Sequence, residues 1–287
     1  MQTFVDTTSQ NASYCIHSAP SFCSLPHALR KSPGYSIADK GLPSCVLRSR
    51  LLQVLKQLAI KNRILGALPE EDFARIAPHL TTIKFQKDEN IYINGDAIEY
   101  LYFVEGGLVS LLSTSQTGAT VEVTMIGNEG ILGLQVILKN RFIPHDVIVR
   151  EAIEAFKIKA EVFQEEFDKG RSLHDLVLRY LNVMITQILQ SSICNRFHTI
   201  EQTLSRWLLT VHDQVNSNTL VLTQQVIAQA LGVPRTGVTV AAGALQTAGA
   251  IRYSRGKIVI LDREGLESHA CECYRIMRDE LDQFLNK

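Results

Sequence analysis

Residues 222–261 read LTQQVIAQALGVPRTGVTVAAGALQTAGAIRYSRGKIVIL, and this stretch decides the fold. Thr223 can cap a helix running to Leu231, and Gly232 can take the positive φ that ends it. Pro234 then pre-sets the first turn of a second helix that ends near Gly249. The small residues Ala228, Ala230, Ala241 and Ala242 let the two helices cross closely, with Val233, Val238 and Leu245 as the apolar contact between them. After Gly249, two strand-like stretches, Ala250 to Tyr253 and Lys257 to Leu261, turn at Ser254-Arg255-Gly256. The pattern is helix, tight turn, helix, wing.

Such a unit suits double-stranded DNA. Arg235, Thr236 and Thr239 fall on the exposed N-terminal face of the second helix, where Arg can fork onto guanine and Thr can meet bases, thymine methyls or phosphates. From Thr219 to Arg263 the cations Arg235, Arg252, Arg255, Lys257 and Arg263 are opposed only by Asp262, a local charge of +4. The 287-residue chain as a whole carries 29 Lys and Arg against 29 Asp and Glu, so any attraction for nucleic acid is local to this end.

Working outward, Thr199 to Val215 reads as a helix with Leu204, Trp207, Leu208 and Val211 inward, the lone tryptophan being core. From Ser172 a stripe of Leu173, Leu176, Val177, Tyr180, Leu181, Met184, Ile185, Ile188 and Leu189 runs over more than twenty residues. That spacing is what a dimer seam needs, though it also suits a helix lying on its own domain, and the dimer seam is the preferred reading. Leu266, Ala270, Cys273, Met277, Leu281 and Phe284 read as the buried face of a final helix. On such a helix Cys271 and Cys273 point to different sides and do not favour a shared ion. Among the histidines, His79, His174, His198, His212 and His269 show no paired metal spacing, and the loop residue His145 reads as exposed or structural, so no metal or cofactor is expected.

Between Thr82 and about Lys159 the apolar period is two, in short strands. The turns fall at Asn94-Gly95-Asp96, Glu105-Gly106-Gly107, Thr117-Gly118, Gly127-Asn128-Glu129-Gly130 and Pro144-His145-Asp146, which predicts a β-roll. Before it, Pro69-Glu70-Glu71-Asp72 opens a short helix burying Phe73, Ile76 and Leu80, and Val46 to Leu65 has the spacing of an amphipathic helix. Residues 1–48 are rich in Ser, Thr, Pro and Gly and read as a flexible arm or a misplaced start. Their Cys15, Cys23 and Cys45 match no common zinc or iron-sulfur spacing. No apolar run approaches the ~20 residues that span a bilayer, and no basic segment precedes an apolar one at the N-terminus, so a cytoplasmic protein without membrane contact is expected. Walker-type, nucleophile-elbow and HExxH motifs are missing from the sequence, and no enzyme is expected.

From about residue 62 onward the chain resembles the Crp/Fnr superfamily of bacterial transcription regulators. In the N-terminal half the resemblance rests on Asn94-Gly95-Asp96, Tyr102-Phe103-Val104-Glu105-Gly106-Gly107-Leu108-Val109 and Gly127-Asn128-Glu129-Gly130. In the C-terminal half it rests on Cys194-Asn195-Arg196, Arg206-Trp207-Leu208-Leu209, Leu222-Thr223-Gln224-Gln225 and Pro234-Arg235-Thr236. It implies an α+β architecture: an antiparallel β-roll of the cyclic-nucleotide-binding-like jelly-roll type, a long dimerisation helix and a C-terminal winged helix-turn-helix. The implied boundaries are a flexible extension over 1–48, a sensor domain over 49–168, the dimerisation helix over 169–196 and the DNA-binding domain over 197–287.

Carried over by position, Thr223, Gln224 and Gln225 resemble the phosphate-contacting start of the first helix and Arg235 the base-reading arginine. Thr236 and Thr239 stand where the family commonly has Glu and Arg, which implies a different operator. The resemblance places an effector pocket at Gly130, Ile131, Leu132, Gly133, Arg141 and Ile143. Cyclic-nucleotide binders of this fold hold the ribose with a Glu after the cassette glycine and the cyclic phosphate with an Arg further on. Here those places fall to Ile131 and Ile143, so cyclic AMP is disfavoured unless Arg141 or Arg150 substitutes.

The expected function is a homodimeric, sequence-specific transcription regulator that reads a pseudo-palindrome through the helix from Pro234 to Ala248. Its partners are double-stranded DNA, RNA polymerase and an unknown small-molecule effector, if any. The alternative is a sensor or docking module whose winged helix binds a protein.

Overall fold

The computed structural model describes residues 57, 59–215 and 217–286. The extension expected over 1–48, with Cys15, Cys23 and Cys45, lies outside the described residues, as does most of the helix expected from Val46 to Leu65. The described end of that stretch is not one continuous helix. Residues 60–62 are non-helical, and Asn62 starts a new short helix, α1 (Arg63–Gly66), by accepting from the Leu65 N–H at 3.1 Å. The Asn62 amide is fully buried and donates to the carbonyls of Val104 at 2.9 Å and Gly130 at 2.8 Å, so a side chain that would be costly if unpaired ties a strand of the roll to the loop at Gly130. Helix α2 (Glu70–Ile76) begins at Pro69 with three acidic residues in its first turn. It buries Phe73 and Ile76; Leu80 lies beyond a 3-10 turn (Ala77–His79) and is half-buried.

The roll is built from β1 (Thr81–Phe85), β2 (Asn90–Tyr92), β3 (Tyr100–Thr114), β4 (Thr120–Ile126), β5 (Ile131–Leu132) and β6 (Asp146–Lys159). All pairings are antiparallel, in the order β1-β6-β3-β4, with β2 also on β6 and β5 on β3. Not all of the strands are short as expected: β3 runs for 15 residues and β6 for 14. Glu105-Gly106-Gly107 is therefore not a turn. It is a bulged stretch of β3 where the register against β6 shifts twice. A turn and a bulge make the same demand on the backbone, and Gly107 meets it with φ +83 and no room for a Cβ, which would collide with the Ala152 carbonyl. Leu101, Phe103, Val104, Val109, Ile126, Val147, Val149 and Ile158 fill the interior.

Helix α3 (Ala160–Asp168) closes the roll, and α4 (Ser172–Phe197) follows after Gly170. The expected stripe on α4 divides. Leu173, Leu176, Val177 and Tyr180 pack into the roll with Leu181 and Met184 at its edge, whereas Ile185, Ile188 and Leu189 are exposed; outside the stripe Val183 is buried too, and Ile193 and Phe197 are exposed, the last at 77%. The C-terminal region holds α5 (Ile200–Val215), β7 (Thr219–Val221), α6 (Gln224–Leu231), α7 (Arg235–Thr247), β8 (Ile251–Ser254), β9 (Lys257–Ile260), α8 (Arg263–His269) and α9 (Cys273–Asn286). Trp207 is buried in α5, as expected. The single final helix read from the sequence is broken between His269 and Cys273. Leu266 consequently lies on α8, and Cys271 precedes α9 while Cys273 opens it, so the two thiols are not fixed on opposite sides of one helix.

Candidate nucleic-acid interface

Helix α6 starts where Thr223 accepts the Val226 N–H at 3.2 Å, and it ends at Gly232 with φ +64. The Gly232 and Val233 amides bond back to Gln229 and Ala228, which turns the chain sharply toward Pro234, the N-cap of α7. Val238, Ala241, Ala242 and Leu245 form the buried face of α7. On the opposite face Arg235, Thr236 and Thr239 are exposed, as the sequence predicts, and Gly243 leaves open space beside them. Arg235 Nε donates to Gln224 Oε1 at 3.1 Å, so the first residue of α6 aims the guanidinium at the start of α7. Thr223, Gln224, Gln225 and Arg235 thus gather at the N-terminal ends of both helices, where backbone N–H groups and dipoles favour phosphate. Val240 was missed in the sequence. At 74% exposure it extends the same face with a methyl surface suited to thymine, and its one-turn spacing from Thr236 is the signal that marks it.

The wing is a three-stranded sheet in the order β7-β9-β8. Its hairpin turns through Arg255 and Gly256 at φ +49 and +76, the two positive values that a tight two-residue hairpin requires. Tyr253 N donates to Gln246 Oε1 at 2.9 Å and fastens the wing to α7. Arg252, Arg255 and Lys257 are exposed and form no ion pair among the described residues. Arg263 is different. It pairs with Asp213 at 2.7 Å and Glu267 at 3.0 Å and donates to Tyr274, so it supports the fold and leaves the basic surface to the other four cations.

Helix α6 leans on the roll. Gly232 meets Val121 of β4, where an added Cβ would lie 3.1 Å from Cγ2, and Lys87 Nζ donates to the Val221 carbonyl at 3.0 Å. A cleft of about 990 Å³ between the β3–β4 hairpin and the paired helices is bordered by Ser115, Thr120, Gln225 and Arg235.

The expected effector residues are only partly brought together. Ile131 and Leu132 pair with Phe103 and Tyr102 through β5, and Ile131 and Ile143 are each 1% exposed within the apolar core of the roll. Gly133, at φ +89, opens the 3-10 turn Leu134–Leu138. A Cβ at Gly130 would collide with the buried Tyr180 hydroxyl, so α4 closes directly over the cassette loop. Arg141 is exposed and borders a separate surface cleft with Lys139 and Lys159. Arg150 is buried elsewhere: its Nε donates to Ser110 Oγ at 3.0 Å, and the charge of Glu122 lies close by. His145 is half-buried, and burial holds its pKa below the ordinary value.

Two buried carboxyls join the roll to α5. Glu122 of β4 accepts from Trp207 Nε1 at 2.6 Å and from Ser110 Oγ, and Thr124 Oγ1 donates to Gln187 Oε1 at 2.7 Å. Glu129 accepts from Gly127 N at 2.9 Å and is hydrogen-bonded by Gln214 of α5. Burial pushes both carboxyls above the usual carboxylate range against the pull of these donors.

Residues 82–169 match the family of cyclic nucleotide-binding domains, and residues 202–269 match the Crp-like helix-turn-helix domain family. Among solved structures the chain is similar to FixK2 from Bradyrhizobium japonicum, at 16% identity over 67% of this chain and 98% of that one, with a TM-score of 0.59. It is similar also to the c-di-GMP responsive global regulator CLP of Xanthomonas campestris, at 16% identity, 67% and 99% coverage and a TM-score of 0.56. A transcriptional regulator of the CRP family from Thermus thermophilus gives 19% identity, 66% and 96% coverage and 0.57. At these identities the likeness is one of fold. No curated protein matches. Among the described residues no helix is long and apolar enough to cross a membrane.

Proposed function

Because the chain belongs to the Crp/Fnr family of transcription regulators, we propose that it is a cytoplasmic homodimer that binds a pseudo-palindromic DNA operator through α7. The observation that carries this reading is the two-sidedness of α7: Val238, Ala241, Ala242 and Leu245 are buried while Arg235, Thr236, Thr239 and Val240 are exposed beside a basic wing. A helix so held offers its exposed edge to the major groove, with Arg235 discriminating bases and Thr223, Gln224, Gln225, Arg252, Arg255 and Lys257 contacting phosphates. The exposed apolar residues of α4, from Ile185 to Phe197, supply the seam at which two chains pair and set the half-sites one helical turn apart.

The roll and the helix-turn-helix meet at Gly232 and Val121, so a signal at the roll has a direct path to the winged helix. Shifting that contact moves the population between DNA-competent and incompetent forms, and RNA polymerase is the partner that reads the result. Ile131 and Ile143 give a cyclic phosphate nothing to pair with, so the effector, where there is one, is not cyclic AMP. The test is selection of bound duplexes from a random pool with the full-length protein at two salt concentrations. A two-fold symmetric motif, with affinity falling steeply as salt rises, supports the reading. Weak, salt-insensitive and sequence-blind binding, with or without cell extract, contradicts it and favours a winged helix that docks on protein.

A further inference from the structure

The end of α4 carries a cluster with no part in DNA binding. Cys194 lies in the last turn of α4 and His198 is its C-cap, four residues on and on the same side. The chain then runs through the whole winged region and returns at Cys271, two residues before α9, and at Cys273, which opens it. The ligand atoms of all four residues lie within 4.8 Å of one another. Cys194 Sγ is 3.4 Å from Cys271 Sγ, and Cys273 Sγ is 3.7 Å from His198 Nδ1.

Those separations select one kind of occupant. With zinc–sulfur bonds of ~2.3 Å and a zinc–nitrogen bond of ~2.0 Å, tetrahedral angles place neighbouring ligand atoms about 3.5 to 3.8 Å apart. An iron-sulfur cluster puts its own sulfides between the cysteines and spreads them more widely. Three thiolates and one imidazole are too soft a set for calcium or magnesium. Three buried cysteines often serve only as small apolar residues, but here they group apart from both main cores and are joined by an imidazole nitrogen.

The surroundings fit as well. His198 Nε2 lies 3.2 Å from Glu272 Oε1, which fixes the ring so that Nδ1 faces the three thiols. Arg206 is 6% exposed, its Nε has no hydrogen-bond partner among the described residues, and its charge acts on both Cys194 and Cys271. A zinc ion with three thiolates and a neutral imidazole carries one net negative charge, which this guanidinium offsets.

We propose that Cys194, His198, Cys271 and Cys273 bind a single zinc ion that clamps the end of α4 to the start of α9. The three thiols release their protons to solvent as the zinc–sulfur bonds form, with no redox change. The clamp spans the point where α4 passes the chain to α5, and so fixes the angle at which the winged region is carried. The proposal stands whether or not DNA is the ligand of α7.

The full-length protein, purified without a histidine tag, is expected to hold one zinc per chain by elemental analysis. Cobalt(II) replacing the zinc should show the thiolate charge-transfer band and the strong d–d bands of a tetrahedral site. Cys271→Ser and Cys273→Ser should abolish both. Should those variants fail to fold, Glu272→Gln changes only the exposed second partner of His198, and should weaken zinc about 10- to 100-fold with an unchanged circular-dichroism spectrum. Substoichiometric metal after growth in zinc with no cobalt band overturns the proposal, as does zinc retained in full by a folded Cys271→Ser/Cys273→Ser protein. A Cys194–Cys271 disulfide in protein handled under reductant overturns it too.

Discussion

Trp207 and Glu122, 85 residues apart in sequence and both buried, meet in a hydrogen bond of 2.6 Å that links α5 to the roll. The indole donates and the carboxyl accepts, and Ser110 and Arg150 continue the chain into β3 and β6. The lone tryptophan, which the sequence marks only as core, is in this way one of the joints between the two halves of the molecule.

Trp207→Phe keeps most of the apolar volume and removes the donor. A buried acceptor that loses its partner costs about 1 to 3 kcal/mol, so the unfolding free energy should fall by that amount, seen as a lower urea midpoint with an unchanged m value. Glu122→Gln in the same background should add less than it does alone, because the two groups share one interaction. Strict additivity would show that the bond carries no energy.

Stability should depend on pH through the two buried carboxyls. Folded Glu122 and Glu129 keep their protons to higher pH than they do in the unfolded chain, whose carboxyls titrate near 4.5. Above 4.5 the folded state therefore binds more protons, and stability falls as pH rises until these groups ionise. Glu122→Gln should flatten that slope, leaving the contribution of Glu129. A pH titration of the urea midpoint checks this, and a slope unaltered in the variant contradicts it.

Gly130→Ala should be destabilising although alanine is the smallest possible addition. The new methyl meets the hydroxyl of Tyr180, which α4 holds buried against the cassette loop, and also Cγ2 of Ile126. Overpacking of this kind costs about 1 to 3 kcal/mol. Tyr180→Phe, by removing the hydroxyl, should restore some of it, and a thermal melt of the single and double variants reads the difference.

Cyclic AMP should leave the melting temperature unchanged, because any ligand that binds the folded state alone raises it in proportion to the logarithm of its excess over Kd. The places that would hold the nucleotide fall to Ile131 and Ile143, both buried in the apolar core, while Arg141 is exposed and Arg150 is held by Ser110. A rise that grows with nucleotide concentration would show that a cation reaches the pocket after all.

Much of this was legible in the sequence where the code is local. Thr223, Gly232, Pro234 and the alternation of small and apolar residues define α6 and α7 within a few positions, because caps and helix faces depend on neighbours three or four residues away. The sequence misleads where one residue type serves two geometries: Gly106-Gly107 reads as a turn and is a bulge in a 15-residue strand. Strand β7 is only three residues long and shows itself through its pairing with β9. Partnerships across the chain leave no local trace, which is why the Trp207–Glu122 bond, the ion pair that withdraws Arg263 from the basic surface and the meeting of Cys194 with Cys271 emerge only in three dimensions.

The central claim is that Arg235 reads base identity while the wing reads phosphate. The most direct test measures binding of the wild type, Arg235→Ala and Lys257→Ala to the selected duplex and to a scrambled duplex over a range of salt. Arg235→Ala should lose about 1 to 3 kcal/mol on the selected duplex and little on the scrambled one, whereas Lys257→Ala should weaken both alike and reduce the salt slope by about one. An Arg235→Ala protein with unchanged affinity and unchanged preference would contradict the assignment of α7 as the reading helix.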